Sequence, residues 1–110
     1  MPSAAPLRHT VTVAAASARY DILIGPGLVD DDAAWQGLPA SAHGVIVSNT
    51  TVAPLYADRI AERLAARHRR VTRVVLPDGE AHKDWTTLNL IFDHLLAEGC
   101  DRRTVLYAMG

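Results

Sequence analysis

Polar and apolar residues alternate along Thr10-Val11-Thr12-Val13-Ala14, and again along Tyr20-Asp21-Ile22-Leu23-Ile24, where Tyr20, Ile22 and Ile24 share one side of an extended chain. A period of two predicts strands, here paired as a hairpin. Gly25-Pro26-Gly27 breaks the alternation as a turn, and Leu28 to Gln36 reads as a short helix closed by Gly37 and Pro39. Val45-Ile46-Val47 is then continuously apolar, too short for a helix and suited to a parallel strand covered on both faces. Pro54 fits the first turn of a helix in which Tyr56, Ile60 and Leu64 recur every four residues, while Asp58, Arg59, Glu62 and Arg63 take the other side. A second cycle follows: a strand over Val71 to Leu76, a turn at Pro77-Asp78-Gly79, and Asp84 as the N-cap of a helix carrying Leu88, Ile91 and Leu95, with Gly99 as its C-terminal cap. Thr104 to Met109 is a last apolar strand.

Strands alternating with helices of 10 to 15 residues predict an α/β fold, Rossmann-like, with a mostly parallel sheet of βα units and an N-terminal β-hairpin. Residues 1–9 are expected to be a disordered tail and residues 10–110 one domain. In such sheets ligands bind beyond the carboxyl ends of the strands, where a glycine commonly begins a phosphate-approaching loop. Gly110 stands at that place, and a strand without its following helix leaves a sheet face uncovered, so an incomplete domain is expected.

Eleven basic side chains against twelve acidic give a net charge of −1, too little field to draw nucleic acid or an anionic membrane. The basic run Arg67-His68-Arg69-Arg70 lacks interleaved aromatics and reads as a solvated helix end. A lone cysteine, Cys100, excludes an internal disulfide and fits a reducing, cytoplasmic setting; with no nearby partner in sequence it reads as structural. The histidines His9, His43, His68, His82 and His94 have no metal-ligand spacing, and His82 and His94 read as helix-surface residues. Ten of the eleven basic residues are arginine, which draws attention to the one lysine, Lys83.

Lys83 closes the segment Leu76-Pro77-Asp78-Gly79-Glu80-Ala81-His82-Lys83, between a strand and a helix at the binding edge of the sheet. Taken alone, it is a surface turn with acids at a helix start. Ser48-Asn49-Thr50-Thr51 likewise ends the strand of Val45-Ile46-Val47, with Asn49 terminating it and Thr50 or Thr51 capping the next helix.

Leu76-Pro77-Asp78-Gly79-Glu80 followed by Lys83 resembles the cofactor-contacting loop of 3-dehydroquinate synthases. Tyr20 to Leu28, Val47-Ser48-Asn49, Ala53-Pro54-Leu55-Tyr56 and Ala108-Met109-Gly110 are similar to the same family in the same order. The resemblance runs from about residue 10 to the end. It implies NAD contact at Asn49, Thr51, Asp78, Gly79, Glu80 and Lys83, with Glu80 accepting from ribose hydroxyls and Lys83 facing the pyrophosphate. These assignments stand beside the capping and turn readings, and both can hold.

In that family a sugar phosphate, 3-deoxy-arabino-heptulosonate 7-phosphate, is converted to 3-dehydroquinate with loss of phosphate, with NAD used catalytically and a divalent metal, zinc or cobalt, holding the substrate. The resemblance implies that the metal ligands, the phosphate-binding residues and the rest of the glycine loop lie outside this sequence. No catalytic or metal-ligating residue is therefore assigned, and the isolated chain is expected to be inactive. Such synthases are commonly homodimers. A related sugar-phosphate cyclase, or a non-catalytic NAD-binding or assembly module, also fits the pattern.

Overall fold

The computed structural model describes residues 8–110, and of the tail expected over residues 1–9 all but Arg8 and His9 lie outside them. Arg8 forms an ion pair with Asp31, and His9 opens the first strand. The chain divides after Gly37 into two compact units.

In the first unit, β1 (His9–Ala14) and β2 (Arg19–Ile24) form the expected hairpin, antiparallel, with His9 opposite Ile24 and Ala14 opposite Arg19. It is a two-stranded sheet of its own. Thr12 Oγ1 donates to Asp21 Oδ1 of its directly opposed residue at 2.7 Å. Gly25-Pro26-Gly27 is a turn, with Gly27 at φ 70°, a backbone conformation open to glycine.

The single helix expected over Leu28 to Gln36 is corrected to two 3₁₀ turns, Leu28–Asp30 and Asp32–Trp35. The break falls at Asp31, whose extended backbone lets its carboxylate accept from the Ala33 amide at 3.0 Å. Aspartate competes in this way with helix hydrogen bonding, and Asp30-Asp31-Asp32 concentrates that competition mid-segment. Trp35 Nε1 ties the turns together by donating to the Val29 carbonyl at 2.9 Å.

The second unit is the predicted α/β arrangement: β3 (Ser41–Asn49), α1 (Ala53–Leu64), β4 (His68–Leu76), α2 (Trp85–Ala97) and β5 (Val105–Ala108), with a 3₁₀ turn at Glu80–His82 before α2. The three strands are parallel in the order β4-β3-β5. Val45 and Ile46 on the central strand are fully buried, as the unbroken apolar run requires.

β3 starts four residues before that run and β4 three residues before Val71, because polar side chains in both extensions find partners. His68, 5% exposed, has Nδ1 3.0 Å from the Ser41 carbonyl and Nε2 2.6 Å from the Tyr107 hydroxyl. A carbonyl only accepts, so Nδ1 carries the proton and the Tyr107 hydroxyl donates to Nε2. Burial also holds the Tyr107 phenol above its ordinary pKa. The reading of Arg67 to Arg70 as a solvated helix end is thereby corrected: α1 stops at Leu64, His68 is a core residue, and Arg70 binds Glu98 through its carboxylate (2.7 Å) and its carbonyl (2.5 Å).

The buried stripe of α1 is Ala53, Ala57, Ile60 and Leu64 rather than one including Tyr56, which is 42% exposed. Two alanines let the helix approach the sheet closely, and a spacing of four, three, four follows the 3.6-residue turn better than strict fours. In α2 the expected Leu88, Ile91 and Leu95 are half-buried, and the Asp84 carboxylate caps the helix by accepting from the Thr87 amide at 2.9 Å. That bond holds the Asp84 carboxyl below its ordinary pKa. Gly99 at φ 67° ends α2, with the Cys100 amide reaching the Leu95 carbonyl.

Candidate functional site

The connection from β3 to β4 moves to one edge of the sheet, and that from β4 to β5 passes back to the other side of β3, so the winding reverses between β3 and β5. Crevices in parallel α/β sheets open at such a reversal, beyond the carboxyl ends of the strands. Here β5 pairs with β3 as far as Val47 and Ala108, with a last bond from the Met109 amide to the Val47 carbonyl at 2.9 Å. Pairing with β4 continues to Asn49 and Leu76. Past Val47 the strands part, and a crevice of about 310 Å³ opens there.

Its walls include Ser48 and Asn49 from β3, Asp78, Gly79 and Lys83 from the loop after β4, and Met109 and Gly110 after β5. Four of the six residues expected to contact a cofactor, Asn49, Asp78, Gly79 and Lys83, are thus brought together. Thr51 is attached through Asp78, since its hydroxyl donates to Asp78 Oδ2 at 2.6 Å and ties the loop after β3 to the loop after β4. Glu80 does not line the crevice; it is attached through Lys83, with Nζ 2.8 Å from Oε1. That hydrogen bond first, and the carboxylate charge second, hold the Lys83 ammonium above its ordinary pKa, so the cation is permanent at neutral pH.

The capping role weighed for this segment belongs to Asn49, not to Thr50 or Thr51. Asn49 Oδ1 accepts from the Thr51 amide (3.0 Å) and the Val52 amide (2.8 Å), while Val52, at the N-cap of α1, supplies no side-chain bond. Asparagine offers an acceptor of the right reach, and it fixes the loop that carries Thr51. Asn49 itself forms part of the crevice wall.

A second depression of about 480 Å³ shares Leu76, His82, Lys83 and Thr87 with the crevice and adds Trp85, Leu88 and Ile91. Lys83 therefore stands between the two depressions and lines both. His82, expected on a helix surface, instead sits in the turn before α2 and lines both. Ser48 was not singled out by the sequence; the signal available was a hydroxyl residue directly after the apolar run Val45-Ile46-Val47.

Cys100, expected without a neighbour, has its sulfur 3.1 Å from His43 Nδ1, a correction that only folding reveals. Arg70 Nη2 lies 3.2 Å from the same nitrogen and only donates, so His43 Nδ1 accepts and Nε2 carries the proton. Nε2 donates to Thr72 Oγ1 at 2.7 Å, and Thr72 donates on to His94 Nε2 at 2.8 Å, so His94 is tied inward rather than lying on the helix surface. Burial, with Arg70 next, keeps His43 below its ordinary pKa, in the neutral form this network needs. Among the described residues no three His, Cys, Asp or Glu side chains form a site for a metal ion, and no helix is long and apolar enough to cross a membrane.

The fold defines a parallel α/β unit with a crevice at the switch point of its sheet. No family model matches the chain. Over 101 residues, 91% of its length, it is 52% identical to 3-dehydroquinate synthases of Bordetella pertussis, Bordetella parapertussis and Bordetella bronchiseptica. The chain is a homologue of the 3-dehydroquinate synthases over this segment, and it spans 28% of the length of those relatives.

Proposed function

We propose that the chain is the NAD-binding segment of a 3-dehydroquinate synthase of the cytoplasm. The observation that carries the reading is the convergence of Asn49, Asp78, Gly79 and Lys83 at the β3/β5 opening, in a chain homologous to that enzyme. These groups fit a dinucleotide. The Asp78 carboxylate accepts from a ribose hydroxyl with the oxygen that Thr51 leaves free, Glu80 orients the Lys83 ammonium toward pyrophosphate, and Gly79 lets backbone come close. NAD supplies a reversible hydride acceptor to the reaction; the residues of this segment bind and orient it.

The full reaction, phosphate loss from 3-deoxy-arabino-heptulosonate 7-phosphate and closure to 3-dehydroquinate, needs groups this segment does not bring together. A divalent metal belongs to that reaction, but the described residues offer it no ligand set. In this reading the segment contributes cofactor binding to that reaction.

Calorimetric titration of NAD into the chain tests the reading. Saturable binding is expected, weakened about tenfold in Lys83→Ala, which removes one charge-assisted contact. The Glu80–Lys83 pair is 86% and 73% exposed, so its loss leaves the fold intact. A folded chain that binds no NAD, or a Lys83→Ala variant of unchanged affinity, refutes the proposal.

A further inference from the structure

Ser48 is the first residue of β3 beyond its last pairing with β5, while on the other side it still pairs with Val75 of β4. It therefore stands beside the opening, and it forms part of the crevice wall. The residue is 5% exposed, and among the described residues its Oγ is a buried side-chain oxygen with no hydrogen-bond partner. The other buried polar side chains of this unit, His43 and His68, are each bonded at both ring nitrogens.

Burying a hydroxyl without a partner costs free energy, and an alanine would occupy the position without that cost. The folded chain alone gains nothing from the oxygen. A group that enters the crevice and bonds it would account for its presence, and buried polar atoms left unpaired in one state commonly find their partner in another.

We propose that Ser48 is a ligand-contacting residue of this crevice, its hydroxyl forming a hydrogen bond with an oxygen of the bound dinucleotide. The inference rests on the reading of the crevice as a dinucleotide site and adds to it a contact on the wall formed by β3. Bound there, the ligand is held between Ser48 on the central strand and Lys83 on the loop after β4, which fixes its direction across the switch point.

The test compares wild type, Ser48→Ala and Ser48→Thr, each measured for thermal midpoint without ligand and for NAD affinity by calorimetry. The expected pattern has opposite signs. Ser48→Ala keeps or raises the ligand-free midpoint and binds NAD about tenfold more weakly, while Ser48→Thr, which retains a hydroxyl, stays within about threefold of wild type. An alanine variant with wild-type affinity overturns the inference and leaves the crevice reading standing. A lowered ligand-free midpoint for the alanine variant also overturns it, because the hydroxyl would then be satisfied within the fold. Folded wild type that binds no NAD removes the crevice reading itself, and this inference with it.

Discussion

Replacing Gly44 by alanine places a methyl group where the sheet has no room for it. A Cβ there would lie 2.7 Å from His68 Cδ2 and 3.1 Å from Cγ and Nε2. The imidazole is not free to move aside: the Ser41 carbonyl holds one nitrogen, the Tyr107 hydroxyl holds the other, and the Tyr107 ring packs edge-on with centroids 5.5 Å apart. Overpacking of this kind costs about 1–3 kcal/mol, and losing one of the buried hydrogen bonds as the ring tilts adds about 1 kcal/mol. At roughly 4–8 °C per kcal/mol for a domain of this size, the Gly44→Ala midpoint should fall by about 10 °C or more. Thermal unfolding followed by circular dichroism reads this directly. In a His68→Ala background the methyl has space, so there Gly44→Ala should cost at least about 1 kcal/mol less. A midpoint within about 2 °C of wild type, or a cost unchanged by His68→Ala, refutes the packing argument.

Three further outcomes follow from the same geometry. Thr51→Val, which removes the 2.6 Å bond to Asp78, should lower stability by no more than about 1.5 kcal/mol yet weaken NAD binding several-fold, because the two loops lose their tie; equal affinity in calorimetry contradicts this. His43 is held below its ordinary pKa of 6.5, so between the folded and the ordinary value the unfolded chain binds more protons. Its stabilisation is then complete above about pH 7 and is lost as pH falls from 6.5 through the lower folded value, and urea midpoints at stepped pH should drop on acidification, less steeply in His43→Asn. Finally, the chain incubated with NAD, zinc and 3-deoxy-arabino-heptulosonate 7-phosphate should release no phosphate above blank, and sustained release contradicts its role as a binding segment.

The parallel strands and the polar loop after β4 were legible in the sequence because their signals are local: unbroken apolar runs, Asp84 before a helix, Pro-Asp-Gly after a strand. What escaped depends on partners distant in the chain. His68 and Arg70 look like a solvated basic run until Tyr107 and Glu98, 39 and 28 residues away, are placed beside them. Cys100 looks isolated until β3 brings His43 alongside. The α1 stripe was misaligned at Tyr56 because spacing alone does not weigh how closely Ala53 and Ala57 let the helix approach. Among the site residues, Glu80 was expected in the crevice and instead acts on Lys83 from outside it, since a 3₁₀ turn rather than an α-helical start separates the two.

Amide chemical shifts recorded while NAD is titrated into the folded chain test the central claim most directly. The account predicts that shifts concentrate at Asn49, Thr51, Asp78, Gly79, Lys83 and Gly110, around the opening between β3 and β5. Shifts centred on the β1–β2 hairpin, or none at saturating NAD, would contradict it.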